Sequence, residues 1–127
     1  MSTLKVETIQ DTAGSSPSTA SQIFEGRAKA WIHYDGSDTY SNLNSFSVSS
    51  LVDNGTGRAT VNWATGTFSD ANYCLVFGSS REPYNGTTHG NMYVDFHDSS
   101  QADVRCCNDE SSGSMVDKHQ VSIVCFH

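Results

Sequence analysis

The feature that most constrains this chain is a two-residue alternation of apolar and polar side chains, repeated in short stretches between turn residues. In RAKAWIHY, Ala28, Ala30, Ile32 and Tyr34 fall on one face and Trp31 and His33 on the other. In RATVNWA, Ala59, Val61 and Trp63 share a face. Ala102, Val104 and Cys106 alternate with Asp103 and Arg105. The closing HQVSIVCFH sets Val121, Ile123 and Cys125 against Ser122, Val124 and Phe126. A period of two matches a strand and not a helix, whose apolar stripe recurs every three to four residues. Asp35-Gly36 and Asn54-Gly55 punctuate the stretches, the second suited to positive φ. Turn signals recur about every ten residues, the spacing of sandwiches and barrels. The pattern predicts an all-β protein, a single β-sandwich or jelly-roll-like domain over residues 27–127.

Within that domain SFSVSSL reads as a strand with Phe46 and Val48 inward, joined through DNGTG to RATVNWA as a hairpin. NYCLVFG reads as a dense apolar strand. In NMYVDFH, Tyr93, Asp95 and His97 take one face and Met92, Val94 and Phe96 the other. The apolar C-terminal strand is expected in the interior of a sheet. The expected core is Ile32, Phe46, Val48, Val61, Leu75, Phe77, Val94, Val121 and Ile123. Composition supports this class, because Ser, Thr, Asn and Gly supply 49 of 127 residues and lysine only three. A helix bundle would need far more Ala, Leu, Glu and Lys.

Residues 1–26 read as an arm. Leu4, Val6 and Ile9 lie in a short alternating strand, followed by the Ser/Thr-rich linker DTAGSSPSTAS. A short helix is expected next, with Ser16 as N-cap, Pro17 at its first position and Gly26 just past its end. Ala20, Ile23 and Phe24 have helical spacing, and so short a helix needs docking to persist. Such an arm is suited to docking on a neighbour, with Leu4, Val6 and Ile9 as contacts. Ile23, Phe24 and Trp31 are interface candidates, Trp31 because it opposes the Ala28–Ala30–Ile32 face.

No catalytic constellation is legible. GxSxG, a P-loop, HExxH and a dinucleotide fingerprint are all missing, so no enzyme and no cofactor are expected. The i, i+2 pairs His33/Asp35 and Asp95/His97 read as surface ion pairs rather than catalytic or metal-holding groups. Cys74, Cys106, Cys107 and Cys125 fit no CxxC spacing, so a metal site is not expected and free thiols are. The net charge of -7 and the scattered cations argue against nucleic acid as a partner. MSTLKVETIQ carries no signal-peptide pattern and no apolar run reaches membrane-spanning length, so cytosolic assembly without membrane insertion is expected. Tyr84, Asn85, Thr88 and His89 place an aromatic beside hydroxyl-bonding groups in one loop, a candidate sugar or surface contact.

Three stretches resemble structural proteins of marine tailed phages, cyanophages above all. They are MSTLKVETIQDTAG, QIFEGRAKAWIHYDG with GRAKAW its most specific part, and SFSVSSLVDNGTGRATVNWATGTFSDANYCLV. The C-terminal VSIVCF is similar as well. The resemblance spans roughly residues 1–77 and implies a multi-copy, non-enzymatic virion component, assembled in the host cytoplasm, with an N-terminal docking arm and a β-rich outward head. It carries no catalytic residues. The expected function is a tail-fibre or tail-appendage protein, a homotrimer, contributing to adsorption on a host surface glycan. A capsid decoration protein and a carbohydrate-binding module are the alternatives.

Overall fold

Each alternating segment has one apolar face to bury, and two sheets set face to face bury them together. The computed structural model describes residues 5–9, 14, 17–79, 90–108 and 114–127. In chain order these hold β1 (Thr8–Ile9), β2 (Ser18–Thr19), α1 (Ala20–Gly26), β3 (Ala30–Gly36), β4 (Ser41–Phe46) and β5 (Val48–Asp53). There follow β6 (Arg58–Trp63), β7 (Cys74–Ser79), β8 (Gly90–His97), β9 (Gln101–Asn108) and β10 (Lys118–Phe126). One antiparallel sheet runs β4-β3-β10-β7 and the other β5-β6-β9-β8. The architecture is an all-β sandwich, with β10 in the interior of its sheet.

Directly opposed residues share a face, so the registers define the core. Ile123 lies opposite Ile32, Val121 opposite Tyr34 and Cys125 opposite Ala30. From the other sheet, Val61 lies between Leu51 and Ala102, and Ala59 opposite Val104. Ile32, Val61, Val121 and Ile123 are at most 1% exposed. Each such side chain stabilises the fold by about 1.5–3 kcal/mol. Trp63 is buried and closes one end of the sandwich with Phe68 and Tyr73. Phe68 stacks on Tyr73 at 4.0 Å, and the Trp63 indole N–H donates to the Tyr73 hydroxyl at 3.0 Å. Tyr73 donates in turn to the Asp98 carbonyl at 2.9 Å. At the other end, Asp117 Oδ1 accepts from the Tyr40 hydroxyl (3.0 Å) and from the Gly57 N–H (2.7 Å).

Readings from period two are corrected at two local breaks in the alternation, Ser47 and Asp95, and along the edge strands β7 and β8. SFSVSSL is not one strand: Ser47 takes φ 54°, which ends β4 in one sheet and starts β5 in the other. Phe46 therefore stands on the outer face, 53% exposed, while Val48 packs against the core. Phe77 does face inward, opposite Ile123, but β7 is an edge strand and leaves it 37% exposed. Leu75 and Val94 are half-buried. In β8 the register shifts between Val94 and Phe96, a bulge at Asp95. The extra residue moves Phe96 outward opposite Asp103 and turns His97 inward, opposite Ala102.

The arm also differs from expectation. Its strand is two residues long and pairs with β2 of the same arm, Thr8 opposite Thr19 and Ile9 opposite Ser18. The helix is capped by Thr19 and not Ser16, because Thr19 and Gln22 form a reciprocal capping box. Pro17 precedes β2, and Gly26 is the last helical residue.

Candidate functional site

The outer face of the first sheet presents an apolar row. Phe46 lies opposite Trp31, Trp31 opposite Val124 and Val124 opposite Val76, so the row crosses all four strands. At strand spacing this is about 14 Å of apolar side chain. Phe46 and Val76 are 53% and 54% exposed, and Trp31 and Val124 are half-buried between them. The neighbouring row is polar: Asn44, His33, Ser122 and Gly78. His33 Nδ1 lies 2.9 Å from Ser122 Oγ.

The arm continues this surface. α1 buries none of its residues. Phe24 and Phe46 line a groove of about 320 Å³ between the end of α1 and the Ser47 corner. Ile9, Ile23 and Phe24 line another of about 230 Å³ between β1 and α1. Lys29 Nζ sits 2.8 Å from the centre of the Phe24 ring and donates to the Phe24 carbonyl at 3.1 Å. Partial desolvation and the adjacent Arg27 lower the Lys29 pKa. Residues 1–26 hold one Lys or Arg and three Asp or Glu; residues 27–127 hold six and eleven. The arm thus carries a net charge of -2 and the head the remaining -5.

The sandwich is polar along its long axis. Lys29 donates to Cys125 O, and the corner at Ser47 accepts from Ala64 N, so arm, corner and the Trp63 end lie together. Ser79 pairs with Val121, Gly90 with Asn108, and Cys106 N donates to Gly57 O. The strands flanking residues 80–89, and the end of β9, therefore lie at the Gly57 end, opposite the arm.

No family model matches this sequence, and no curated protein or solved structure is significantly similar to it.

Of the residues singled out from sequence, Trp31 lies at the centre of the apolar row, and Ile23 and Phe24 stand on the exposed face of α1. Val6 and Ile9 are 44% and 55% exposed. Leu4, Tyr84, Asn85, Thr88 and His89 fall outside the described residues. The two His/Asp spacings do not make ion pairs among the described residues. Asp35 accepts from the Ser37 hydroxyl and backbone N–H, and these bonds lower its pKa. Asp95 pairs with Arg105, and His97 packs edge-on against Tyr73 at 5.3 Å. Among the described residues no three His, Cys, Asp or Glu gather to hold a metal ion, and no helix is long and apolar enough to cross a membrane. Sequence reasoning missed the outward roles of Phe46 and Val76, which follow from the strand register.

Proposed function

We propose that this chain is a non-enzymatic structural subunit of a tailed-phage virion, placed in a tail fibre or tail appendage and contributing to adsorption on the host surface. The observation that carries the reading is the polarity of the molecule. Exposed apolar side chains of α1, and the Phe46–Trp31–Val124–Val76 row beginning beside them, gather toward the arm. The strands that lead into residues 80–89 end at the opposite pole. A subunit held at one pole, with the turns at 37–40 and 54–57 at the other, suits a projecting appendage. The resemblance of residues 1–77 to phage structural proteins supplies the virion context.

A second copy of this chain is the proposed occupant of the apolar row, in a homotrimer. Charge supports that choice: Arg27 and Lys29 line the groove beside Phe24, and the head of a neighbouring copy carries a net charge of -5. The arm docks to other virion proteins.

Antibody labelling of intact particles tests the reading. Tail decoration is expected, and labelling over the capsid lattice would instead make the chain a decoration protein. Deleting residues 1–15 is expected to leave the head's melting temperature nearly unchanged and to abolish incorporation. Incorporation at normal copy number would remove the docking role.

A further inference from the structure

The outer face of the second sheet carries a different surface. Its outward rows run Arg58–Arg105–Tyr93 and Val52–Thr60–Asp103–Phe96. Without the bulge at Asp95, Tyr93 and Phe96 would fall on opposite faces; with it, both point outward. They are 38% and 48% exposed. Their opposed residues Arg105 and Asp103 are two apart on β9, so the rings stand about 7 Å apart along the strand.

Beside the rings lies a groove of about 170 Å³ lined by Asn54, Arg58, Asp95, Asp103 and Arg105. Its polar groups are already oriented. Thr60 donates to Asp103 Oδ1 at 2.6 Å and accepts from Asn54 Nδ2 at 2.8 Å. Arg105 is fixed by its pairing with Asp95, and its pKa is raised chiefly by a hydrogen bond to the Tyr93 side chain. Arg58 is the exception. It lies directly opposite Arg105, a like-charge pair that destabilises a sheet, and among the described residues it makes no ion pair. An anion bound at Arg58 would offset that repulsion.

We propose that this groove binds an acidic saccharide. The carboxylate of a uronic-acid unit pairs with Arg58, and its hydroxyls bond to Asp103, Asn54 and Arg105. The apolar face of the sugar ring, or of its neighbour in the chain, stacks on Tyr93 and Phe96. The site is read from its own geometry and does not depend on the virion assignment, so either can fail while the other stands.

Titration of the full chain with a galacturonic-acid tetramer, followed by amide and Arg side-chain NMR shifts, tests the site. A neutral glucose tetramer of equal length is the control. The expected shifts centre on Arg58, Arg105, Tyr93 and Phe96, with the neutral probe weaker by about tenfold or more and the acidic probe weakening as salt rises. Arg58→Gln is expected to remove the preference for the acidic probe, and Phe96→Ala to weaken both probes. Both positions are exposed, so the variants should fold, and the unchanged remainder of the spectrum reports it. No shifts with either probe, or shifts centred elsewhere, overturn the proposal. Equal binding of both probes, or an Arg58→Gln variant that keeps the preference, overturns its acidic specificity.

Discussion

Replacing Gly57 by Ala should be far more damaging than the same change two residues earlier. Both glycines are left-handed, Gly55 at φ +94° and Gly57 at φ +66°. A Cβ there costs about 1–2 kcal/mol in either case. At Gly55 the methyl would enter open space, with nothing within 4 Å. At Gly57 it would stand 2.4 Å from the Cys106 carbonyl oxygen and 2.8 and 2.9 Å from the backbone N and O of Val116. Those are backbone atoms and cannot rotate away. Relief requires the 57 turn to move off β9 and residue 116, which are bound there. Cys106 N donates to Gly57 O at 2.8 Å, Val116 N to Cys106 O at 3.0 Å, and Gly57 N to Asp117 Oδ1 at 2.7 Å. Losing one or two of these in a buried setting adds about 1–3 kcal/mol each. The expectation is about 1–2 kcal/mol for Gly55→Ala and about 3–5 kcal/mol for Gly57→Ala. For a chain of this size 1 kcal/mol shifts the melting temperature by about 3–5 °C. Thermal unfolding followed by circular dichroism should separate the two variants by roughly 5–15 °C. Equal melting temperatures would refute the claim that the 57 turn is locked between β9 and residue 116.

Ser47, at φ 54°, is the corner between the sheets. Ser47→Gly should raise stability by about 0.5–1 kcal/mol and Ser47→Val lower it by at least about 1 kcal/mol, checked by urea denaturation. Asp35, Asp70 and Asp98 have pKa values held below 3.8, chiefly by bonds from the Ser37 hydroxyl, the Asn72 N–H and the Ser100 hydroxyl respectively. The folded state thus binds fewer protons than the unfolded chain in acid, so this stabilisation is complete above the ordinary value and lost as pH falls through the lowered ones. The melting temperature should fall below about pH 4, and Asp98→Asn should flatten that slope; an unchanged slope removes the Asp98 loop from the account. Burial pushes the Cys106 thiol up to about 11 and Cys125 to about 12, and of the four cysteines Cys74 alone is exposed. A thiol reagent at neutral pH should modify Cys74 quickly and the other three only on denaturation, read by intact mass. Fast modification of a second thiol would contradict the burial of β9 or β10.

The strands were legible because a half-buried strand writes its burial into alternate letters. Ala30, Ile32, Tyr34, Ala59, Val61, Val121 and Ile123 carry that code without interruption, and all are buried. The arm's helix was legible in place but not in capping, because Thr19 and Gln22 close a reciprocal capping box and the helix begins only at Ala20. The end plugs were not legible. Phe68 and Tyr73 lie outside any alternating segment, and their burial follows from the stacking of non-repetitive chain beneath Trp63.

What defeated the alternation matters most for function, because both candidate surfaces are made by single-residue departures from it. A strand read strictly by twos sends Phe46 and Val48 inward together; one left-handed serine separates them and sets Phe46 at the end of the Trp31 row. Likewise Phe96 should follow Val94 into the core, and one extra residue at Asp95 places it outside beside Asp103. In each case an aromatic ring of 48–53% exposure is left in water, where burial would have stabilised the fold by about 1.5–3 kcal/mol. Folding stability alone gives no reason to keep either departure. A ring that forgoes burial at a corner or a bulge is accounted for by what it meets outside. At Phe46 that is the apolar row and the groove it shares with Phe24, and at Phe96 it is Asp103, which lines the groove with Arg58 and Arg105.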